Sequence, residues 1–276
     1  MGVVQIERGY ANNRRWLVRT ADGCSVFAKQ AADEESAQWL RTEWRRYSQI
    51  PVFCRPRTVG WFDDGARPVM FIEDLSGCRW PPPWRPGDVE AVLETLRELA
   101  AAPAPPDLPP IADTWFAAGG WPEVAAYPER FLNLGLCTRA WLDNTLPVLL
   151  EAASFDALNG SSVLHLDVRS DNLCFRAGQA VLVDWNLAAL GNADFDVAFW
   201  LPSLCLENGP APDAVYRGDA RLVAVVAGFF AAQAGRPSLP RAPAVRQLQR
   251  RQLAVALPWA LRALGLPPLD LMRSEH

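Results

Sequence analysis

Apolar and polar positions along the chain fall into two regimes. Up to about residue 75 the apolar runs are short and broken by turn signals. Val3, Val4 and Ile6 predict one strand, Trp16 to Val18 a second, and Cys24 to Ala28 a third that ends at Lys29. Ala21-Asp22-Gly23 marks the turn between the last two. Residues 33–49 then carry apolar positions at helical spacing, Leu40, Tyr47 and Ile50, with Asp33 to cap the start and Pro51 beyond the end. Glu43 falls beside that stripe, whereas Glu34 and Glu35 stand in the first turn, where they suit the helix dipole. Two further strands are predicted, Thr58 to Phe62 and Val69 to Ile72, across the turn Asp63-Asp64-Gly65.

After residue 75 the pattern turns mainly helical. The stretch Trp80-Pro81-Pro82-Pro83-Trp84 interrupts regular structure. Asp88 is expected to cap a helix whose face carries Val89, Val92, Leu93, Leu96 and Leu99. Further helices are expected near 111–118, 122–132, 137–153, 213–232 and 243–264. Two short apolar strands, Val163 to Leu166 and Ala180 to Val183, lie either side of Ala177-Gly178, and each leads into an aspartate, Asp167 or Asp184. The predicted class is α+β: an N-terminal antiparallel sheet with a helix in residues 1–75, and a mainly helical region in residues 76–276.

Composition narrows the functional classes. Half of the 276 residues are hydrophobic and 21% are charged, which allows a sizeable core. The net charge of -4, with no basic stretch, makes nucleic acid a poor partner. The six cysteines form no C-x-x-C pair and there are two histidines, so a thiolate metal site has little support. Scattered cysteines read as reduced residues of a cytoplasmic protein. The N-terminal residues carry no secretory pattern, Ile6 breaks the myristoylation pattern, and the apolar run Leu222 to Ala232 is too short to span a bilayer, so no membrane association is expected.

The informative segment is His165-Leu166-Asp167-Val168-Arg169-Ser170-Asp171-Asn172. It matches H-R-D-L-x-x-x-N at His, Asp and Asn. Seventeen residues after Asp167, the second apolar strand ends at Asp184-Trp185-Asn186, where a kinase carries D-F-G. Phosphoryl transfer needs such parts. Asp167 is placed to orient an acceptor hydroxyl and accept its proton. Asn172 and Asp184 offer the amide and carboxylate oxygens that Mg2+ prefers. Arg169, two residues beyond Asp167, offers a guanidinium to a transferring phosphoryl group or to an anionic acceptor.

His165 to Asn172, Asp184-Trp185, and Gly191 followed by Asp196-Val197-Ala198 resemble the aminoglycoside phosphotransferase and choline kinase group, a branch of the protein kinase-like fold. That resemblance extends to the N-terminal half, over residues 5–200. It implies a two-lobed fold and a small-molecule kinase using ATP or GTP with Mg2+, its acceptor being an antibiotic or a metabolite. Lys29 looks like the strand lysine that holds the α- and β-phosphates, and Glu43 like its ion-pair partner. Phe71 to Gly77, with Glu73 and Leu75, looks like the linker whose backbone pairs with the base. His165 is expected to hold the aspartate loop by packing, and Asp196 to cap its backbone.

Three departures stand out. Leu166 occupies the usual glycine position, the turn Gly9 to Arg15 lacks G-x-G-x-x-G, and Asn186 replaces the last position of D-F-G. A protein kinase is disfavoured by the lack of an A-P-E segment. A catalytically silent kinase-fold binding protein is the other alternative. Trp80, Trp84, Trp115 and Trp121 are candidates to line an acceptor pocket. Asp107, Glu123, Glu129 and Glu207 are candidates to meet a cationic acceptor.

Overall fold

The structure, a computed structural model, describes residues 2–6, 13–114, 116, 119–239 and 242–270. Contacts divide the chain into two compact units: residues 1–107 with 165–188, and residues 108–164 with 189–276. The lobe boundary expected at residue 75 from the change of pattern and the proline-rich stretch is distinct from this contact division.

The first unit is built on five antiparallel strands: β1 (Gly2–Gln5), β2 (Asn13–Arg19), β3 (Ser25–Ala31), β4 (Thr58–Phe62) and β5 (Val69–Glu73). Their order is β1-β2-β3-β5-β4. The register sets Arg15 opposite Lys29 and Lys29 opposite Met70. Helix α1 (Glu34–Gln49) follows β3 and opens with a capping box. Asp33 accepts from the Ser36 N–H, and the Ser36 hydroxyl oxygen accepts from the Asp33 N–H, so two N–H groups of the first turn region are satisfied reciprocally. The α1 stripe that turns inward holds Leu40, Glu43 and Tyr47, at helical spacing.

Helix α2 (Asp88–Ala101) closes the continuous part of this unit. Gly87, at a φ of 88°, precedes it, and Asp88 lies in its first turn. The Asp88 carboxylate accepts from the Arg85 N–H and pairs with Arg79, so it ties down the loop before the helix and does not cap the helix. The hairpin β7 (Leu173–Arg176) and β8 (Gln179–Leu182) belongs to the same unit. Ala177 and Gly178 both take positive φ, 51° and 85°, as a two-residue primed hairpin turn requires.

The second unit is mostly helical: α3 (Trp121–Ala126), α4 (Pro128–Leu132), α5 (Arg139–Ala152), α6 (Phe195–Leu206), α7 (Pro212–Val215), α8 (Ala220–Gly235) and α9 (Pro243–Ala263), with the short pair β6 (Ser162–Leu164) and β9 (Ala189–Gly191). Phe116, Phe195, Phe199, Phe229 and Phe230 form a ring cluster with centroids 4.5–5.5 Å apart. Aromatic packing of this kind adds to the energy of burial alone. All six cysteines are unpaired. No helix among the described residues is long and apolar enough to cross a membrane.

Several sequence expectations change. Ser162–Leu164 pairs with Ala189–Gly191, and Gln179–Leu182 with the unforeseen Leu173–Arg176. The first strand stops at Leu164 because Leu166 turns to a φ of 64°. The helix expected at 122–132 breaks at Tyr127, since a residue before proline is pushed out of helical geometry and Pro128 follows. The helix expected at 213–232 is two, with Asp219 capping the second. Helix α6 was not foreseen: it is apolar on every side, so it shows no amphipathic period. Residues 111–113 form a 3-10 turn. Trp115, Ala117 and Ala118 lie outside the described residues, as does Gly9 to Asn12 of the turn that leads into β2.

Candidate active site

Lys29 is the fifth residue of β3 and is 4% exposed. Its ammonium lies 2.7 Å from Glu43 Oε2 and 3.2 Å from Asp184 Oδ1. Burial works against its charge, but the carboxylates of Asp184 and Glu43 outweigh burial and raise its pKa. Glu43, 2% exposed, is pushed up to about 7 by burial even though Lys29 opposes the shift. Breaking such a buried pair by removing one partner costs about 3–5 kcal/mol, because the other charge is stranded.

Asp184 follows β8 and adopts a left-handed backbone, φ 66°. Non-glycine residues held there cluster at functional sites. Its Oδ1 accepts from Lys29 and, at 2.5 Å, from Asn186 Nδ2. Burial opposes the Asp184 charge, yet Lys29 overrides it and holds the carboxyl below its usual range. The side chain keeps a third of its surface exposed despite the dense protein around it.

The segment 165–172 enters the β7 hairpin from the other side. The Val183 N–H donates to the Asn172 carbonyl at 2.8 Å and fastens the loop to the strand that ends in Asp184. His165 is fully buried. The Asp167 N–H meets its Nδ1 at 3.2 Å, and its Nε2 lies 2.9 Å from the Val183 carbonyl. Burial drives the imidazole down to about 4, so it is neutral, and its two nitrogens accept and donate respectively. His165 thus clamps the loop, with Trp185 edge-on 4.5 Å away.

Asp167 receives Asn172 Nδ2 at 2.7 Å on Oδ2, and the same amide donates to the Asp167 backbone carbonyl at 3.0 Å. Arg169 Nε lies 3.0 Å from Asp167 Oδ1, and its Nη2 lies 3.2 Å from Asp171. Burial raises Asp167 to about 7. Arg169 opposes that rise, whereas Asp171 and Asp184 add to it. The aspartate is therefore oriented by two donors and poised between protonation states near neutral pH.

Glu73 and Leu75 lie at the end of β5 and just beyond it. The Glu73 carboxylate accepts from Arg176 at 2.9 Å and from the Arg57 N–H at 3.1 Å. The Leu75 carbonyl accepts both the Cys78 N–H and Trp80 Nε1. Trp84 meets Phe175 edge-on, and Trp121 is fully buried with its Nε1 donating to the Ala224 carbonyl. Those contacts make Trp121 a core residue.

The acidic residues put forward for a cationic acceptor are partly committed. Glu123 is held by Arg236 and Arg130, Glu129 by Arg139, and Asp107 receives Gln49. Asp196 is buried in the first turn of α6.

Among the described residues no cluster of three or more His, Cys, Asp or Glu stands ready to enclose a metal. The donor set nevertheless fits magnesium. Lys29 and Asn186 both bind Asp184 Oδ1, which leaves Oδ2, and Asn172 directs its amide hydrogens at Asp167, which leaves its oxygen. Magnesium takes one or two protein oxygens and fills its octahedron with phosphate and water.

Sequence reasoning missed two participants. Asn186 was read as a defect, yet its amide orients Asp184. Arg15 counted only as the end of the Gly9–Arg15 turn, whereas it stands inside β2, where the register sets it opposite Lys29.

The five-stranded sheet with its inserted helix, the clamped loop and the Lys29–Glu43–Asp184 contacts define a protein kinase-like fold. The profile of the phosphotransferase enzyme family matches residues 2–237, and the chain belongs to that family. Among solved structures it is similar to a choline/ethanolamine kinase family protein from Mesorhizobium loti, with 14% identity, TM-score 0.61, and 96% of this chain and 92% of that one covered. It is similar to Plasmodium vivax ethanolamine kinase, with 9% identity, TM-score 0.58, and 95% and 84% covered. It is also similar to a thermostable aminoglycoside phosphotransferase mutant in ternary complex with AMP-PNP and hygromycin B, with 15% identity, TM-score 0.57, and 96% and 93% covered. No curated protein sequence matches the chain significantly.

Proposed function

We propose that this protein transfers the γ-phosphate of ATP or GTP to a hydroxyl group of a small molecule. One observation carries the reading: within one unit Lys29 lies 2.7 Å from Glu43 and 3.2 Å from Asp184, Asn172 lies 2.7 Å from Asp167, and the Val183 N–H to Asn172 carbonyl bond at 2.8 Å ties the loop of the second set to the strand that leads to Asp184. The likeness to a structure that holds AMP-PNP supports a nucleoside triphosphate donor.

In this reading Asp167 is the catalytic base. The acceptor oxygen forms a bond to the γ-phosphorus, the bond to the β,γ-bridging oxygen breaks, and the nucleoside diphosphate leaves. The hydroxyl proton passes to the Asp167 carboxylate. Lys29 binds the α- and β-phosphates and is held in place by Glu43. Asn172 and Asp184 would hold magnesium, which would supply charge neutralisation at the phosphate oxygens. Glu73 and Leu75 border the base, and the Leu75 carbonyl is engaged by the Cys78 N–H and Trp80 Nε1. Arg169 steadies Asp167 and lies within reach of the transferring group. The arginine partners of Glu123 and Glu129 weaken the case for a polycationic acceptor, so neutral and singly charged alcohols lead the list.

The test has two arms. Thermal melting with Mg-ATP and with Mg-GTP should raise the midpoint, since a ligand at about 100 times its dissociation constant stabilises by roughly 2.7 kcal/mol. An acceptor screen with γ-labelled nucleotide, from choline-like alcohols and sugars to aminoglycosides, should then yield labelled product. A protein that melts identically with and without both nucleotides would be a silent kinase-fold binding protein, and the proposal would fail.

A further inference from the structure

We infer that Arg15 is a second phosphate-binding cation, placed beside Lys29 by the sheet. This rests on the nucleotide-binding reading above.

Arg15 on β2 and Lys29 on β3 are directly opposed across an antiparallel pair. Directly opposed residues put their Cβ atoms on the same face, roughly 4.5–5.5 Å apart. The face is identified by Lys29, whose ammonium reaches Glu43 and Asp184. Arg14, one residue earlier, opposes Gln30, is exposed, and by strand alternation belongs to the other face. The two adjacent arginines therefore have different surroundings: Arg14 solvent, and Arg15 the half-buried charged face.

Charge explains what a guanidinium does there. Lys29 is shared between two carboxylates, so these three groups sum to one negative charge. A triphosphate approaching Lys29 would meet that net negative field before magnesium is counted. Arg15 brings the local sum to zero. Burial lowers its pKa, and the nearby carboxylates of Asp184 and Glu43 counter that loss, which puts the guanidinium within their electrostatic reach. A hydrogen bond from Nη1 to the Asn13 carbonyl at 3.0 Å holds the fork close to the start of β2. A guanidinium suits this task because its fork matches two phosphate oxygens at once. The ligand chemistry is a nucleoside di- or triphosphate, read through its phosphates and not through its base.

The experiment compares nucleotide binding by calorimetry for the wild type, Arg15→Gln, Arg15→Lys and Arg14→Gln, using Mg-ATP, Mg-ADP and adenosine. A charge-assisted hydrogen bond lost from a phosphate predicts that Arg15→Gln weakens Mg-ATP and Mg-ADP by about ten- to a hundredfold. Adenosine affinity should stay within about twofold, Arg15→Lys should recover part of the loss, and Arg14→Gln should match the wild type. Wild-type affinity for Mg-ATP in Arg15→Gln overturns the inference. So does an equal loss of Mg-ATP and adenosine, which would mean that Arg15 only supports the sheet. If Arg15→Gln does not fold, Arg15→Lys decides: unaltered phosphate affinity upholds a cation requirement only when Arg15→Met, which keeps the aliphatic stem, loses it. A wild type that binds neither Mg-ATP nor Mg-GTP removes the nucleotide reading itself, and that arm is scored before any variant.

Discussion

The two units handle buried polarity in opposite ways. In the unit of residues 1–107 and 165–188, Lys29, Glu43, His165 and Asn172 are buried together, and three non-glycine residues, Leu166, Ala177 and Asp184, hold left-handed backbone, against Asn208 in the other unit. In the unit of residues 108–164 and 189–276 the centre is a cluster of phenylalanines, and carboxylates such as Glu123 and Asp213 meet arginine. The first arrangement is costly: charges are desolvated and strain is retained. The second is what stability alone favours. Such contrasts arise where chemistry requires groups that packing would reject.

Mutation should separate the two regimes. Asp167→Asn keeps the shape of the loop and removes the base, so kcat should fall by at least about a hundredfold, while binding of Mg-ATP persists in a titration. The same variant should melt higher than the wild type. Burial raises the Asp167 pKa from 3.8 to about 7, so the ionised form costs stability at any pH above the unfolded value, most fully above about 7. An Asp167→Asn protein that melts lower, or turns over at the wild-type rate, would break the contrast drawn here. Phe230→Ala in the ring cluster should do the reverse. It should lower stability by about 3–5 kcal/mol and leave kcat per folded molecule unchanged in denaturant-melt and rate measurements.

Acidity offers a smaller, graded effect. A base with a free-enzyme pKa near 7 works only when deprotonated. The logarithm of kcat/KM should therefore fall with unit slope, tenfold per pH unit, below about pH 7. A profile flat to pH 5 would remove Asp167 from the proton transfer. The smallest effect belongs to Asn186. Asn186→Ala frees the Asp184 carboxylate to rotate, and loss of a group that orients a metal ligand typically costs 10–100-fold in affinity. We expect the lower end, about tenfold more magnesium for half-maximal activity, because Lys29 still binds the same oxygen.

How much of this was legible depended on the kind of signal. Lys29, Glu43, Asp167, Asn172 and Asp184 could be picked out because apolar strands run into them and their order along the chain follows a known pattern. The helix cap at Asp33 was readable as local chemistry. The partnership of Ser162–Leu164 with Ala189–Gly191 is not local, so it escaped, whereas Arg15 escaped because the second strand was expected to begin only at Trp16, which left Arg15 in the preceding turn. Helix α6 escaped because Phe195 to Leu206 is apolar all round. Leu166 was visible as a departure from glycine, but only the backbone reveals that it keeps the left-handed turn of φ 64° that glycine would adopt freely.

The first unit is discontinuous in sequence, and that bears on how the protein is made. A ribosome delivers the sheet, α1 and the Lys29–Glu43 pair early, but Asp184 only after residues 108–164 have followed. At about 5–20 residues per second, the nascent sheet waits on the order of several seconds for the segment that completes it. During that interval the sheet and α1 lack the β7–β8 hairpin and the loop that contribute to their unit, so chaperone capture should be strongest for chains arrested between residues 108 and 184.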